Sequence, residues 1–158
     1  MSAISIELAM KHLLAEPEDQ ELVEAQLAAA EEAAMQFLNR RFFATQEAVA
    51  AAKAGVLATL KQARAANATA VDAAMQETDE LLQVRLLDHA RQALAAVEAE
   101  VDAVAYGIPL NAAITAACLL KLGHLFANRE EVITDGTPAE LPQASKALLM
   151  PYRVRMGV

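Results

Sequence analysis

Apolar residues recur along this chain at helical spacing almost from end to end. Ile6, Met10, Leu13 and Leu14 follow i, i+4, i+7 and i+8 behind Ser5, whose hydroxyl suits a helix N-cap. Glu16-Pro17-Glu18-Asp19 breaks that helix, because the proline ring disfavours helical backbone at Glu16 and the acidic cluster suits the positive end of a following helix. A second helix is expected from about Glu18 to Arg41. Its stripe is Val23, Leu27, Ala30, Ala34 and Phe37, with Leu38 beside it, while Glu24, Glu31 and Glu32 mark other faces. Arg40 and Arg41 complement the negative pole of this helix beside Phe42 and Phe43, a reading favoured over a nucleic-acid contact.

From Thr45 to Ala105 the pattern thins and alanine takes over. Val49, Val56, Leu57 and Leu60 mark one stripe, and Leu82, Leu86, Leu94, Val97, Val101 and Val104 a second, whose last steps of three and four resemble a coiled-coil seam. Asn67 to Thr69 is the weakest helical point between them and is the expected turn of a helical hairpin. Stripes this thin bury little area per turn, so the hairpin needs cover from its own chain or from another subunit.

Tyr106-Gly107 ends the hairpin. A very apolar helix is then expected from Pro109, placed in its first turn, to about Val132, through Ile114, Leu119, Leu120, Leu122, Leu125 and Phe126. Polar relief comes from Lys121, His124 and Asn128 on one narrow side. A membrane span competes with a buried core helix, but Thr115, Lys121 and His124 interrupt the run before the roughly 20 apolar residues that a bilayer requires. Thr134 to Pro138 reads as a loop, and Leu141-Pro142 opens a last short helix, Gln143 to Met150, stopped by Pro151. The basic tail from Tyr152 onward is too short to fold alone, which leaves disorder or docking on a partner.

Composition adds the fold class. Alanine is abundant, glycine and proline are scarce, and no stretch of alternating Val, Ile or Thr argues for a sheet, so the expected fold is all-α: a compact helical bundle with a long Ala-rich hairpin. At 158 residues it reads as one domain, 1–158, with the hairpin at 45–105. A net charge of −8 opposes a surface that grips nucleic acid throughout. Cys118 is the only cysteine, so no intrachain disulfide can form and a small buried hydrophobe is its expected role. The first residues lack the basic start and apolar block of a secretory signal, which implies synthesis and folding in a cytosol.

Candidate chemistry changes this picture little. His12, His89 and His124 are far apart, and none forms an H-E-x-x-H pair or follows a glutamate by three positions, as helical metal sites require. The glycines are isolated, so no loop can wrap a phosphate. Glu31-Glu32, Asp79-Glu80 and Glu130-Glu131 are adjacent pairs whose side chains diverge by about 100° on a helix, and solvated faces explain them better than paired acid and base. No catalytic, metal or cofactor residue is assigned, and an enzyme is not expected.

Two segments carry a resemblance. Gly123 to Val132, GHLFANREEV, followed after a loop by Leu141-Pro142 and by Ala147 to Arg153, ALLMPYR, resembles the phage gp6-like head–tail connector family. Ile6 to Leu13 with acidic residues next, and then Phe37-Leu38-Asn39-Arg40-Arg41, are similar to the family's opening, so the likeness covers 4–43 and 108–154. It implies a helical subunit, made in a bacterial host's cytoplasm, that joins about a dozen copies in a closed homo-oligomeric ring at the head–tail junction of a virion. It further implies a portal protein above, tail-completion or stopper proteins below, and DNA passing through without sequence-specific binding. Interface candidates are Arg129, Tyr152 and Arg153 in the family-like part and Leu94, Val97 and Val101 on the hairpin. Arg129 could equally cap its own helix, as a planar guanidinium fits helix-terminal carbonyls as well as carboxylates.

Two other classes stay open. A DNA-packaging component such as a small terminase subunit would need a basic recognition helix, and none is obvious here. An amphipathic lipid-binding or partner-binding helical protein would need Lys and Arg on its polar faces, which here are mixed and acidic.

Overall fold

The computed structural model describes residues 2–128 and 144–155. They form six helices and a minimal parallel strand pair: α1 Ile6–Leu13, α2 Gln20–Leu38, β1 Phe42–Phe43, α3 Gln46–Met75, α4 Glu80–Ala105, β2 Ile108–Pro109, α5 Ala112–Ala127 and α6 Ala144–Leu149. The protein is all-α in class. It divides into two compact units, one of residues 1–46 with 108–158 and one of residues 47–107.

In the first unit, α1 is capped by Ser5, whose hydroxyl accepts from Leu8 N–H, and it ends at Leu14 in a left-handed conformation. Pro17–Asp19 forms a single 3-10 turn, where proline at the first position loses no hydrogen bond. Helix α2 begins later and stops earlier than its sequence pattern suggests, at Leu38, because Asn39 adopts a left-handed φ of 55° and Arg40 N–H turns back to the Met35 carbonyl. Its stripe of Val23, Leu27, Ala30, Ala34 and Leu38 is buried, with Phe37 half-buried at its edge.

The sequence places Pro109 in the first turn of the apolar helix, and the structure places it in β2 instead. Asn111 is the cap, its side chain accepting from Ile114 N–H, so α5 starts at Ala112. The reason lies in pairing at a distance: Phe42 opposes Ile108, and Ile108 N–H and Leu110 N–H donate to the Arg41 and Phe43 carbonyls at 3.1 and 2.7 Å. This clip joins the two parts of the first unit at the positions where the chain departs into the second and returns from it.

Helix α5 buries Ile114, Ala117, Cys118, Leu119 and Leu122 against α2 and α1, while Leu120 and Lys121 face out. Each fully buried leucine contributes about 1.5–3 kcal/mol relative to exposure. Leu149 of α6 completes the core, and Pro151 lies in a 3-10 turn, Met150–Tyr152, that follows α6. Helix α5 ends at Ala127, short of the expected Val132, because Asn128 is extended at its C-cap; the 134–138 loop, Leu141-Pro142 and Glu130-Glu131 lie outside the described residues.

In the second unit, α3 runs unbroken through Asn67–Thr69, so the expected turn is not there. Thr69 satisfies its hydroxyl on the Ala65 carbonyl one turn back, which lets it sit inside a helix. The chain reverses at Gln76–Asp79. Asp79 caps α4 by accepting from Leu81 and Leu82 N–H, and Glu77 accepts from Thr78 and Asp79 N–H. The stripes also shift. Val49, Val56 and Leu60 on α3 and Leu94, Val97, Val101 and Val104 on α4 are withdrawn from water as expected, but Leu57, Leu82 and Leu86 are exposed at 61%, 52% and 43%, and the series are completed by Ala52, Ala63, Asn67, Val71 and Ala74 on α3 and by Gln83, Leu87 and Ala90 on α4. Both series step by three and four in the manner of a coiled-coil seam. An exposed Arg64–Glu98 ion pair at 3.7 Å joins the two helices well away from the turn, as an antiparallel hairpin requires.

Candidate interaction site

Three features of the first unit bear on what it could bind, and each grows from the ends of α2 and α5. The first is a clamp. Glu31 is buried, 4% exposed, and accepts hydrogen bonds from Ser2 Oγ at 2.6 Å, Ala3 N at 3.1 Å and Ile4 N at 2.8 Å. The expectation that Glu31 marks a solvated face is therefore overturned. A carboxylate is retained in the core because three donors of the first residues, among them the buried Ile4 N–H, converge on it. The signal was present in the sequence: Glu31 lies four residues after Leu27 and three before Ala34, on the same stripe as the core. Glu32 does face solvent. Its carboxyl is held below the usual range by the hydrogen bond from Gln36 and then by that from Arg41, whose guanidinium lies 2.7 Å away. Asp79 and Glu80 are both exposed, as expected, and Asp79 in addition caps α4.

The second feature is the seat of the tail. The described part of the tail from Tyr152 onward takes neither expected option, disorder or docking on a partner, and docks instead on the end of α2 in its own chain. Val154 N–H donates to the Leu38 carbonyl at 3.0 Å, Asn39 Nδ2 donates to the Val154 carbonyl at 3.0 Å, and Arg40 Nη1 donates to the Tyr152 carbonyl at 3.1 Å. The Arg153 guanidinium stacks over Phe37, 4.9 Å from the ring centroid. Burial lowers the Arg40 pKa from its ordinary value, but the group stays cationic at any physiological pH. Arg40 thus does more than complement a helix dipole. It ties the last turn of the fold to the end of α2.

The third feature is a cavity of about 540 Å³ among α2, α5 and α6. Its floor is apolar, built from Phe37, Leu120, Leu149 and alanines, and Lys121, His124 and Lys146 are among its lining residues. The lysines are exposed and form no ion pair among the described residues, while His124 Nδ1 lies 3.0 Å from the Asn128 side-chain nitrogen. Lys121 and His124 are the polar strip noted in the sequence. The structure adds Lys146 from α6, which no local pattern connects with them.

Of the interface candidates, Tyr152 and Arg153 are half-buried at the α2 end, and Leu94, Val97 and Val101 occupy one seam of α4, Val101 being buried. Arg129 lies outside the described residues. Cys118 is free and buried, and burial first, with the Glu31 charge adding to it, pushes its thiol up to about 12, so it behaves as a core hydrophobe rather than a nucleophile. Among the described residues no group of three or more His, Cys, Asp or Glu comes together to hold a metal ion, and no helix is long and apolar enough to cross a membrane. Compared with protein-family models, curated proteins and solved structures, the chain matches none.

Proposed function

We propose that this protein is the subunit of a homo-oligomeric ring acting as a head–tail connector in a tailed phage or prophage. The ring would sit below the portal protein, with DNA passing through it and tail-completion or stopper proteins beneath. The observation that carries the reading is spatial. The two segments that resemble the connector family, separated in sequence by the whole Ala-rich hairpin, come together in one compact unit clipped by the β1–β2 pair. Within that unit the resembling pieces touch one another: Arg40 holds the Tyr152 carbonyl, and Arg153 stacks on Phe37.

The reading is consistent with the charge. An acidic wall does not hold phosphates, and a channel for DNA transit has to release them. Negative-stain imaging of the purified protein, alone and with the portal of the same phage, tests it. The expected particle is a ring with a central hole wide enough for duplex DNA. A protein that stays monomeric in both settings overturns the proposal.

A further inference from the structure

Helix α3 carries, beside the seam it shares with α4, a second face that is its own complement. Leu57, Lys61, Arg64, Ala68, Asp72 and Met75 fall within about 80° of arc at about 100° per residue. All six are exposed, Leu57 and Met75 at 61% and 62%. Arg64 is paired with Glu98 of α4 at 3.7 Å. The other five run apolar, cationic, small, anionic, apolar, and they are balanced about one point of the helix. Leu57 and Met75 each lie nine residues from Ala66, and Lys61 and Asp72 lie five and six residues from it. Lys61 and Asp72 form no ion pair among the described residues, and about 16 Å of helix separates them, so they do not meet within one chain.

We infer that two copies of the chain pack α3 against α3, antiparallel, across a twofold axis level with Ala66. Leu57 of each copy then meets Met75 of the other, Lys61 faces Asp72, and the exposed Ala65 and Ala68 lie at the centre. A second copy is the occupant because turning this face end for end reproduces it with each charge opposite its counter-charge. Parallel stacking would set Lys61 on Lys61 and Asp72 on Asp72, so the charges fix the direction as well, as flanking charges do in coiled coils. Alanines at the centre let the two backbones approach to the short end of the usual spacing of about 8–10 Å. The contact is isologous and closes at two copies, so it neither builds nor requires a ring. It does not rest on the connector reading.

Sedimentation velocity over a range of concentrations tests it on the full chain and on three variants, Lys61→Glu, Asp72→Lys and the two combined. Circular dichroism checks that each keeps the helical content of the parent, as exposed positions should. The parent should dimerise with rising concentration. Each single variant should dimerise about tenfold more weakly or worse, because both ion pairs of the dimer become like-charge contacts. The combined variant should recover the parent's association, and the two single variants mixed in equal amounts should form a 1:1 pair. Asp72→Lys lowers the net negative charge, so a general charge effect would strengthen association where the contact requires weakening. A parent that stays monomeric throughout, as it would if its own chain covered this face, overturns the inference. So does a single variant that associates like the parent, or a combined variant that does not recover. Rings that form equally well in all four proteins would overturn it while leaving the connector reading standing. A charge-dependent dimer that forms no ring with or without the portal would do the reverse.

Discussion

Glu31 is the residue on which the first unit depends most unexpectedly. A buried carboxylate is expensive unless it is hydrogen-bonded, and here Ser2, Ala3 and Ile4 donate to both of its oxygens, tying the start of the chain to the middle of α2. Glu31→Gln retains the size but turns an amide N–H₂ toward at least one N–H donor. We expect it to cost about 1–3 kcal/mol of stability, the scale of a buried donor left unsatisfied. Urea unfolding followed by circular dichroism measures this, and an unchanged midpoint would mean that the clamp contributes nothing. The residue was legible as an oddity, a charge on an apolar stripe. Its partners were not, since nothing local to Ser2–Ile4 announces that they end beside α2.

Among the elements, the hairpin shows most clearly how propensity and packing divide the work. Asn67–Thr69 is a weak helical stretch, yet it lies within α3, because tertiary placement of a seam overrides a few tenths of a kcal/mol per residue of intrinsic preference. The turn formed where capping chemistry is strongest, at Glu77-Thr78-Asp79, and a reading weighted toward caps rather than toward weak helix formers would have found it. The same helix carries Gly55, exposed in its interior with no atom near enough to obstruct a Cβ. Gly55→Ala should therefore stabilise the hairpin by about 1 kcal/mol, from lost backbone freedom in the unfolded chain alone. Thermal unfolding monitored by circular dichroism should show a higher midpoint, and a lower one would mean that this face of α3 is occupied closely by something the glycine accommodates.

For the whole molecule, the two proposed phage-related readings differ in the charge they require more than in fold, because helical rings serve both. In a chain of net charge −8, Arg40 and Arg41 are each committed to partners inside the first unit, which leaves them less free to neutralise phosphates. A gel shift with duplex DNA at about 0.15 M salt, where charges beyond about 8 Å are screened, should show no retention. Retention that weakens steeply as salt rises would favour the packaging-component reading over the connector.

Taken alone, the sequence determined the helical class, the Ser5 cap, the stripe of α2, the buried character of α5 and the core role of Cys118. These follow from periodicity, propensity and capping, all of which act within a few residues. Only the tertiary structure decided that Pro109 belongs to a strand rather than a helix start, that Glu31 is a clamp, that the hairpin seam runs through Gln83, Leu87 and Ala90 instead of Leu82 and Leu86, and that Lys146 stands beside the same cavity as Lys121. Each of those depends on which distant segment arrives alongside. A local pattern states what a residue prefers, and only the packing partner settles which of its preferences is met.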